Sequence, residues 1–431
     1  MVDVVVVGAG HNGLSAAVRL AERGLDVLVV DKLPWPGGMA GSRPLAGVEA
    51  GVGAYVAGIM PRELRERLDI SIEVPDPIAV FEKDGEYVRW WRDPERRTEE
   101  FKRWGLGDEV EAFQRELEAL NEAMRRYFFR DPPTEEEVEA DEAAAVLVKA
   151  TARSVLSRYL PREFWPMFIY ERLLDQPAYL LAYFNPPEGW GYPVAGGDKG
   201  IHALGKALYR RAMAAGARVL LGVEVVKLKI EGGRARGIVL DDGRTVEAKA
   251  VLSTASPIHT LLDLAGPEHL PDDVVKRLRE AAGVAAGPYK VNAVLAERPK
   301  LREGLEPYRD SILQLPIGEA VVRGNYVTLV GEPDLEALES YVLNLGKLKA
   351  LEIWSPRDYE RIFNAPGAYV NHLPLTREYL FCRPACGWGY RTPIWGLYIG
   401  GAGAWPGGQI TGVPGWNAAG RILEDLAKGP P

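Results

Sequence analysis

The chain opens on a run of apolar positions, Val4-Val5-Val6-Val7. The run breaks on Gly8-Ala9-Gly10-His11-Asn12-Gly13 and passes into a small-residue stretch ending near Gly24. A second apolar run, Val27 to Val30, follows and closes on Asp31. Two unbroken apolar strands flanking a helix predict a buried parallel βαβ unit. Further on, Ile78 to Trp91 predicts a hairpin turning at Asp84-Gly85, and Glu99 to Arg130 a polar helical stretch. Asp131-Pro132-Pro133 and the acidic run 135–142 then interrupt the pattern. Ile201, Leu204, Leu208 and Ala212 recur at helical spacing up to Gly216. Val219 to Leu221, Val223 to Val226, Ile238 to Leu240 and Ala250 to Ser253 predict a small meander feeding a buried strand. Gly287 to Leu295 predicts a strand of a second, mixed sheet, with segments near Val321 to Val330 and Ala350 to Trp354 as partners. A short strand at Leu397 to Ile399, a glycine-rich loop and a helix from near Val413 end the pattern.

Residues 143–192 differ from the rest. They concentrate large aromatics, among them Tyr159, Phe164, Trp165, Phe168, Tyr179, Tyr183 and Trp190. Such density fits a helical layer packing its own core, and equally the wall of a pocket for a large apolar molecule.

The opening unit has the chemistry to seat a dinucleotide. Gly8 permits a tight turn, Gly10 lets the backbone approach a pyrophosphate, and Gly13 lets helix and strand pack closely. The first N–H groups of the helix, with its positive dipole end, then face the phosphates. Asp31 stands at the distance expected for an acceptor of ribose hydroxyls.

Composition narrows the classes. A formal net charge of -8 opposes general nucleic-acid binding. No apolar run approaches the roughly 18 residues of a membrane span. The chain enters its first strand at once, so an intracellular, cytoplasmic protein without a leader is expected. Scarce Gln with abundant Glu and Arg is compatible with a thermophilic source. Cys382 and Cys386, spaced CxxxC, make no disulfide framework and are expected as two unconnected thiols, with a redox pair as the alternative. The histidines share no ligand spacing, so no metal is expected.

The Gly37-Gly38 pair six residues after Asp31 resembles the extended motif of FAD-binding amine oxidases and phytoene desaturases. Gly8-Ala9-Gly10-His11-Asn12-Gly13-Leu14, the middle Leu252-Ser253-Thr254-Ala255-Ser256-Pro257, and the terminal Pro406-Gly407-Gly408 and Pro414-Gly415-Trp416-Asn417-Ala418-Ala419 together resemble the phytoene desaturase-like flavoproteins. Within the amine oxidase superfamily, the likeness is greatest to the branch related to the pyridine nucleotide-disulfide oxidoreductase domain 2 protein. The match is weak over 76–190 and 300–360, and the chain is shorter than typical members. The resemblance implies an α/β fold: a Rossmann-like FAD-binding domain from residues 1–75, 193–286 and 376–431, and an α+β substrate domain with a mixed sheet from 76–192 and 287–375.

It also implies a cofactor-binding set. Gly8, Gly10 and Gly13 would meet the pyrophosphate, Asp31 the adenosine ribose, and the Val225 backbone the adenine. Gly401, Gly408 and Ile410 would follow the ribityl chain and isoalloxazine. His11, Asn12, Lys32, Gly37, Gly38, Met39, Ala402 and Gln409 complete the set. Many relatives carry Arg where Met39 stands, and Arg43 is the expected substitute.

In such proteins the flavin takes hydride and the protein supplies orientation, dryness and electrostatics. Lys290 resembles the lysine that amine oxidases hold near the flavin; an ordinary solvated strand lysine fits the same pattern. His372 matches a histidine of the same branch and is a candidate proton donor or acceptor, or a satisfied structural residue. Tyr390 and Arg391 are candidates for the flavin's edge, with Arg391 alternatively bracing the loop. The expected activity is an FAD-dependent dehydrogenase or desaturase acting on an apolar, isoprenoid or carotenoid-like substrate. Alternatives are a flavin amine oxidase and a non-catalytic prenyl-binding module of the same fold. No second GxGxxG unit is present, which leaves a quinone, dioxygen or a protein as electron acceptor. An amphipathic face in 143–185 would allow peripheral membrane contact.

Overall fold

The computed structural model describes residues 1–284 and 287–429. The expected boundary at 286 and the end of the chain at 431 lie outside them. The parallel sheet runs Arg218–Leu221, Val27–Asp31, Val2–Val7, Thr245–Ser253, Leu397–Ile399. Every neighbouring pair in that order is parallel, and the strands are apolar because both faces are covered. The helices His11–Ala21, Ile201–Ala214 and Val413–Lys428 pack around it. Packing there is close enough to exclude any side chain at some positions: a Cβ on Gly13 would stand 1.9 Å from the Gly8 carbonyl oxygen. The predicted meander is present, since Thr245–Ser253 carries Arg234–Leu240 and Val225–Glu231 antiparallel on its first half.

The second sheet is mixed, as expected. Its order is Leu348–Trp354, Tyr289–Leu295, Tyr326–Gly331, Gly318–Arg323, Ile312–Leu315, Ala79–Lys83, Glu86–Trp90, with a single parallel pair between Ile312–Leu315 and Ala79–Lys83. Strand alternation sends Val291, Leu313, Val322 and Leu329 to a core under residues 301–345. The opposite face carries Lys290, Val330, Glu319 and Gln314, which lie in one row across four strands.

The predicted polar helix over 99–130 is two helices, Pro94–Lys102 and Gly107–Arg125. The chain breaks between them at Gly105, whose φ of +71° suits glycine. The acidic run is the helix Glu135–Ala140, started by a Thr134–Glu137 capping box. The aromatics of this layer serve both expected purposes. Trp90, Phe101, Phe113, Phe164 and Phe168 meet edge to face or tilted, with ring centroids 4.9–6.2 Å apart between paired members. Tyr179 and Tyr183 are buried beside Trp405 and Phe128. Phe168, Tyr170, Phe184 and Trp190 also line a cavity. Among the described residues, no helix is long and apolar enough to cross a membrane.

Candidate active site

A cavity of about 1550 Å³ runs from the first glycine turn to the row-bearing face of the second sheet. Its near end is made by backbone. Gly8, at φ +104°, turns the chain out of the first strand. The helix His11–Ala21 then begins at Gly10 with no acid in its first turn, so its N–H groups are free for an anion. The Gly37 amide donates to the Ala9 carbonyl at 2.8 Å, and a Cβ on Gly38 would come within 3.1 Å of the Gly10 Cα. The glycine pair after Asp31 therefore packs on the first turn.

Asp31 lines the cavity and accepts from the amides of Ala9 at 2.6 Å and Leu33 at 2.8 Å. Burial pushes its carboxyl up, and the two amides pull it back. Lys32 donates to Asn364 Oδ1 at 2.5 Å and to the Arg361 carbonyl at 3.2 Å, and faces Glu224 at 3.9 Å. Val225 follows on the same wall.

The cavity meets Gly8, Gly10, His11, Asn12, Asp31, Lys32, Gly38, Met39, Val225, Ala402, Gln409 and Ile410 of the expected set, together with His372. Gly13, Gly37, Gly401 and Gly408 stand one layer behind. A Cβ on Gly37 would meet Gly205, one on Gly401 the Thr254 carbonyl, and one on Gly408 the Asn371 side chain. These four let segments approach closely rather than offer a surface. Gly408 also holds the aromatic layer, its carbonyl accepting from the Tyr183 hydroxyl at 2.7 Å.

His372, Gln409 and Ile410 all adopt the left-handed region, with φ of +61°, +64° and +59°. Non-glycine residues there carry strain, and clusters of them mark functional walls. His372 is pushed down to about 3, first by burial and then by Arg383 and His11. Burial pushes His11 down to about 4. Both imidazoles are therefore neutral at physiological pH. Neither ring nitrogen of His11, nor Nδ1 of His372, nor Oδ1 of Asn12 has a partner among the described residues. Buried polar atoms left this way are costly, and four of them on one wall call for a polar guest. The open helix start and the glycine cradle fit a dinucleotide phosphate in the same place.

Lys290 is fully buried, which overturns the solvated-lysine alternative. Its Nζ donates to the carbonyls of Gly53 at 2.7 Å and Ala54 at 3.1 Å. Burial pushes it down to about 7. It stands behind the Gly53–Tyr55 wall rather than on the cavity surface. Sequence alternation reads Lys290 and Asn292 as a solvent face, but that face looks into the space between the two sheets.

One open alternative is decided and three expectations are corrected. Of the two readings of Arg391, the bracing one fits: it forms a two-pronged pair with Asp425 at 2.8 and 2.5 Å, which ties it to the last helix, and it does not line the cavity. Tyr390 is likewise internal, its hydroxyl taking a hydrogen bond from Asn417 at 2.8 Å. Arg43 does not replace the missing arginine, since it pairs with Glu352 and lies 5.2 Å from the Trp354 ring. Cys382 and Cys386 are joined in a disulfide rather than unconnected; the chain reverses between them, bringing their Cα atoms to 4.1 Å. Between them sits buried Arg383, which donates to the carbonyls of Asn371, Leu373, Pro374 and Ala402 at 2.8–3.2 Å. It ties the His372 loop to the glycine-rich loop, a role no local pattern announces. Tyr55, Gln314 and Glu319 on the far wall were also not expected from the sequence. Among the described residues, no cluster of three or more His, Cys, Asp or Glu could hold a metal.

A parallel sheet with a glycine cradle at its carboxyl edge, facing a mixed sheet across one cavity, defines a two-part flavoprotein oxidoreductase. Residues 3–343 match the family described as DAO, FAD dependent oxidoreductase, and the chain belongs to that family. It is an FAD-dependent oxidoreductase, and FAD is its cofactor. It is 25% identical to mouse pyridine nucleotide-disulfide oxidoreductase domain-containing protein 2, covering 98% of this chain and 94% of that one. That alignment extends over 549 positions against 431 residues here, so stretches of the relative have no counterpart in this chain. Hydroxyneurosporene desaturase of Cereibacter sphaeroides is 26% identical, over 98% of both chains. Cyclohexylamine oxidase from Brevibacterium oxydans shares the fold, with a TM-score of 0.62 at 20% identity over 99% of both chains. The resemblance read from the motifs thus holds at the level of the family.

Proposed function

We propose that the protein is a dehydrogenase or desaturase for an elongated, mainly apolar substrate of the isoprenoid type. The observation that carries this reading is the far half of the cavity, walled by Ile78, Trp90, Phe168, Phe184, Trp190 and Val330. Such a wall binds by excluding water from hydrocarbon. Similarity to a desaturase whose name specifies hydroxyneurosporene supports the same substrate class.

The residues at the near end would hold the cofactor. Gly10, His11 and Asn12 with the helix start would take the pyrophosphate, Asp31 the ribose and Val225 the adenine. Ala402, Gln409 and Ile410 would bound the far end of the cofactor. When bound, FAD supplies a two-electron acceptor for hydride from a substrate carbon. His11 and His372 offer neutral nitrogens that place no positive charge on the wall. Lys290 holds its proton loosely at Nζ near neutrality and fixes the Gly53–Tyr55 wall through two carbonyls, which makes it a positioning residue.

The test is anaerobic reduction of the bound flavin by a panel of isoprenoids and amines. Bleaching by isoprenoids and not by amines is expected. Bleaching by amines alone would replace this reading with the amine oxidase one, and a protein that loads FAD but is reduced by neither would favour a binding role. Re-oxidation of the reduced protein with dioxygen, a quinone or a partner protein then identifies the acceptor. Liposome flotation tests peripheral contact through residues 143–185; full activity without flotation would end that idea.

A further inference from the structure

The far wall is not uniformly apolar. Glu319 and Gln314 are direct cross-strand partners on the strands Gly318–Arg323 and Ile312–Leu315. Both line the cavity, so both side chains stand on its face of the sheet. Around them the wall is hydrocarbon: Ile78, Trp190, Ile312 and Val330. The Tyr55 hydroxyl donates to Glu319 Oε2. Oε1 of Glu319 has no donor among the described residues, and no basic side chain pairs with this carboxylate. Gln314 Oε1 is buried and also has no partner. A carboxylate oxygen facing the cavity and a buried amide oxygen beside it are therefore left without donors on a locally apolar stretch of the wall.

Acceptors without donors are costly when water is excluded, and a carboxylate costs most. Burial pushes Glu319 up to about 7, the response of an acid that lacks a counter-charge. A guest that brings hydrogen-bond donors relieves this; one that brings only acceptors or hydrocarbon does not. Position adds a constraint. Along the row, Lys290 pairs with Val330 and Val330 with Glu319. Two strand spacings separate the acid from the lysine, about 10 Å. Tyr55 lies between the two, its hydroxyl on Glu319 and its ring centroid 5.6 Å from Lys290 Nζ, so a group bound at Glu319 sits at the Tyr55 edge of the wall that the lysine holds.

We propose that Glu319 and Gln314 form a polar subsite that reads a hydrogen-bond-donating end group, a hydroxyl or an ammonium, on a substrate whose remaining length is hydrocarbon. Tyr55 orients the acid by occupying one of its two oxygens, which leaves the other for the guest. The inference rests on the substrate reading above and narrows it: the substrate has one polar end.

The experiment is isothermal titration calorimetry on the FAD-loaded protein with three short probes of matched size, 1-hexanol, hexylamine and 1-methoxypentane, at pH 8. At least one donor probe is expected to bind about tenfold tighter than the ether, the worth of one good buried hydrogen bond. Whichever donor shows the preference identifies the end group as hydroxyl or ammonium. Glu319→Leu is expected to bring the probes within about threefold of one another. Glu319→Met, unbranched and also without an acceptor, gives the same readout should the leucine variant not fold. An ether that binds as tightly as both donors would overturn the proposal, as would a donor preference that survives both substitutions. Neither result depends on flavin bleaching, so failure of this subsite is separable from failure of the substrate class.

Discussion

The two ends of the cavity are built differently. The near end is backbone: amides of a helix start, glycines packed against glycines, and one carboxylate held by two amides. The far end is side chain, contributed by strands from residues 79–90 and 312–331 and by the aromatic layer. Backbone surfaces take one shape, because close approach permits only glycine at fixed positions. Side-chain surfaces can be rewritten residue by residue while the sheet stays intact. On the proposed function, the same molecule would present a wall of fixed shape to its cofactor and a wall that can vary with its substrate.

Four changes test that contrast. The largest effect belongs to Gly13→Val. Its Cβ would meet the Gly8 carbonyl at 1.9 Å, so the first helix must move, at a cost of about 3 kcal/mol or more. Loss of bound flavin and a lowered Tm are expected; a flavin-replete, equally stable variant would break the claim that the near wall is sterically fixed. Next is Lys290. Its folded value is depressed to about 7 from 10.5, so the unfolded chain binds more protons between those values. Stability therefore rises with pH through that window and loses this gain as pH falls towards 7. Denaturant titrations from pH 7 to pH 9 are expected to stabilise the native protein by about 2 kcal/mol relative to Lys290→Met.

Asp31→Ala removes the acceptor of two amides and the candidate ribose ligand. FAD affinity is expected to fall about ten- to a hundredfold in fluorescence titrations, the loss of charged hydrogen bonds. The smallest effect is on the far wall. Glu319 is raised to about 7 from 4.5, so the folded chain binds more protons between those values, and stability falls as pH rises through them. Glu319→Gln is expected to stabilise the protein at pH 8 by about 1–2 kcal/mol, tempered by the surface that Glu319 keeps towards the cavity. The gain should vanish below pH 4.5, with FAD affinity unchanged. A matching loss of FAD affinity would show that the two walls are not independent.

The near wall was legible in the sequence because its requirements are local. Gly8, Gly10, Gly13 and Asp31 follow one another at spacings that backbone geometry dictates, and the meander and final helix announce themselves by apolar period. Even so, spacing did not distinguish glycines that face the cavity from those that pack behind it. The far wall was less legible. Its strands were visible at Gly287 to Leu295 and near 321–330, but which face looked inward was not. Lys290 and Asn292 alternate with Val291 and Ala293 just as a solvent face would, because a buried polar face and a wet one share the same period. The pairing of Glu319 with Tyr55, 264 residues apart, leaves no trace in either local stretch. The disulfide at 382–386 was missed for a similar reason: it needs a chain reversal that two cysteines four apart do not by themselves specify.

The central claim is that separate stretches of chain close on one flavin at the near end while the far wall stays independent of it. Hydrogen exchange with and without FAD tests this most directly. The account predicts coordinated protection of residues 8–13, 31–39 and 402–412 on loading, with the strands at 79–90 and 312–331 unchanged. Protection limited to the first stretch, leaving 402–412 exchanging as before, would contradict it.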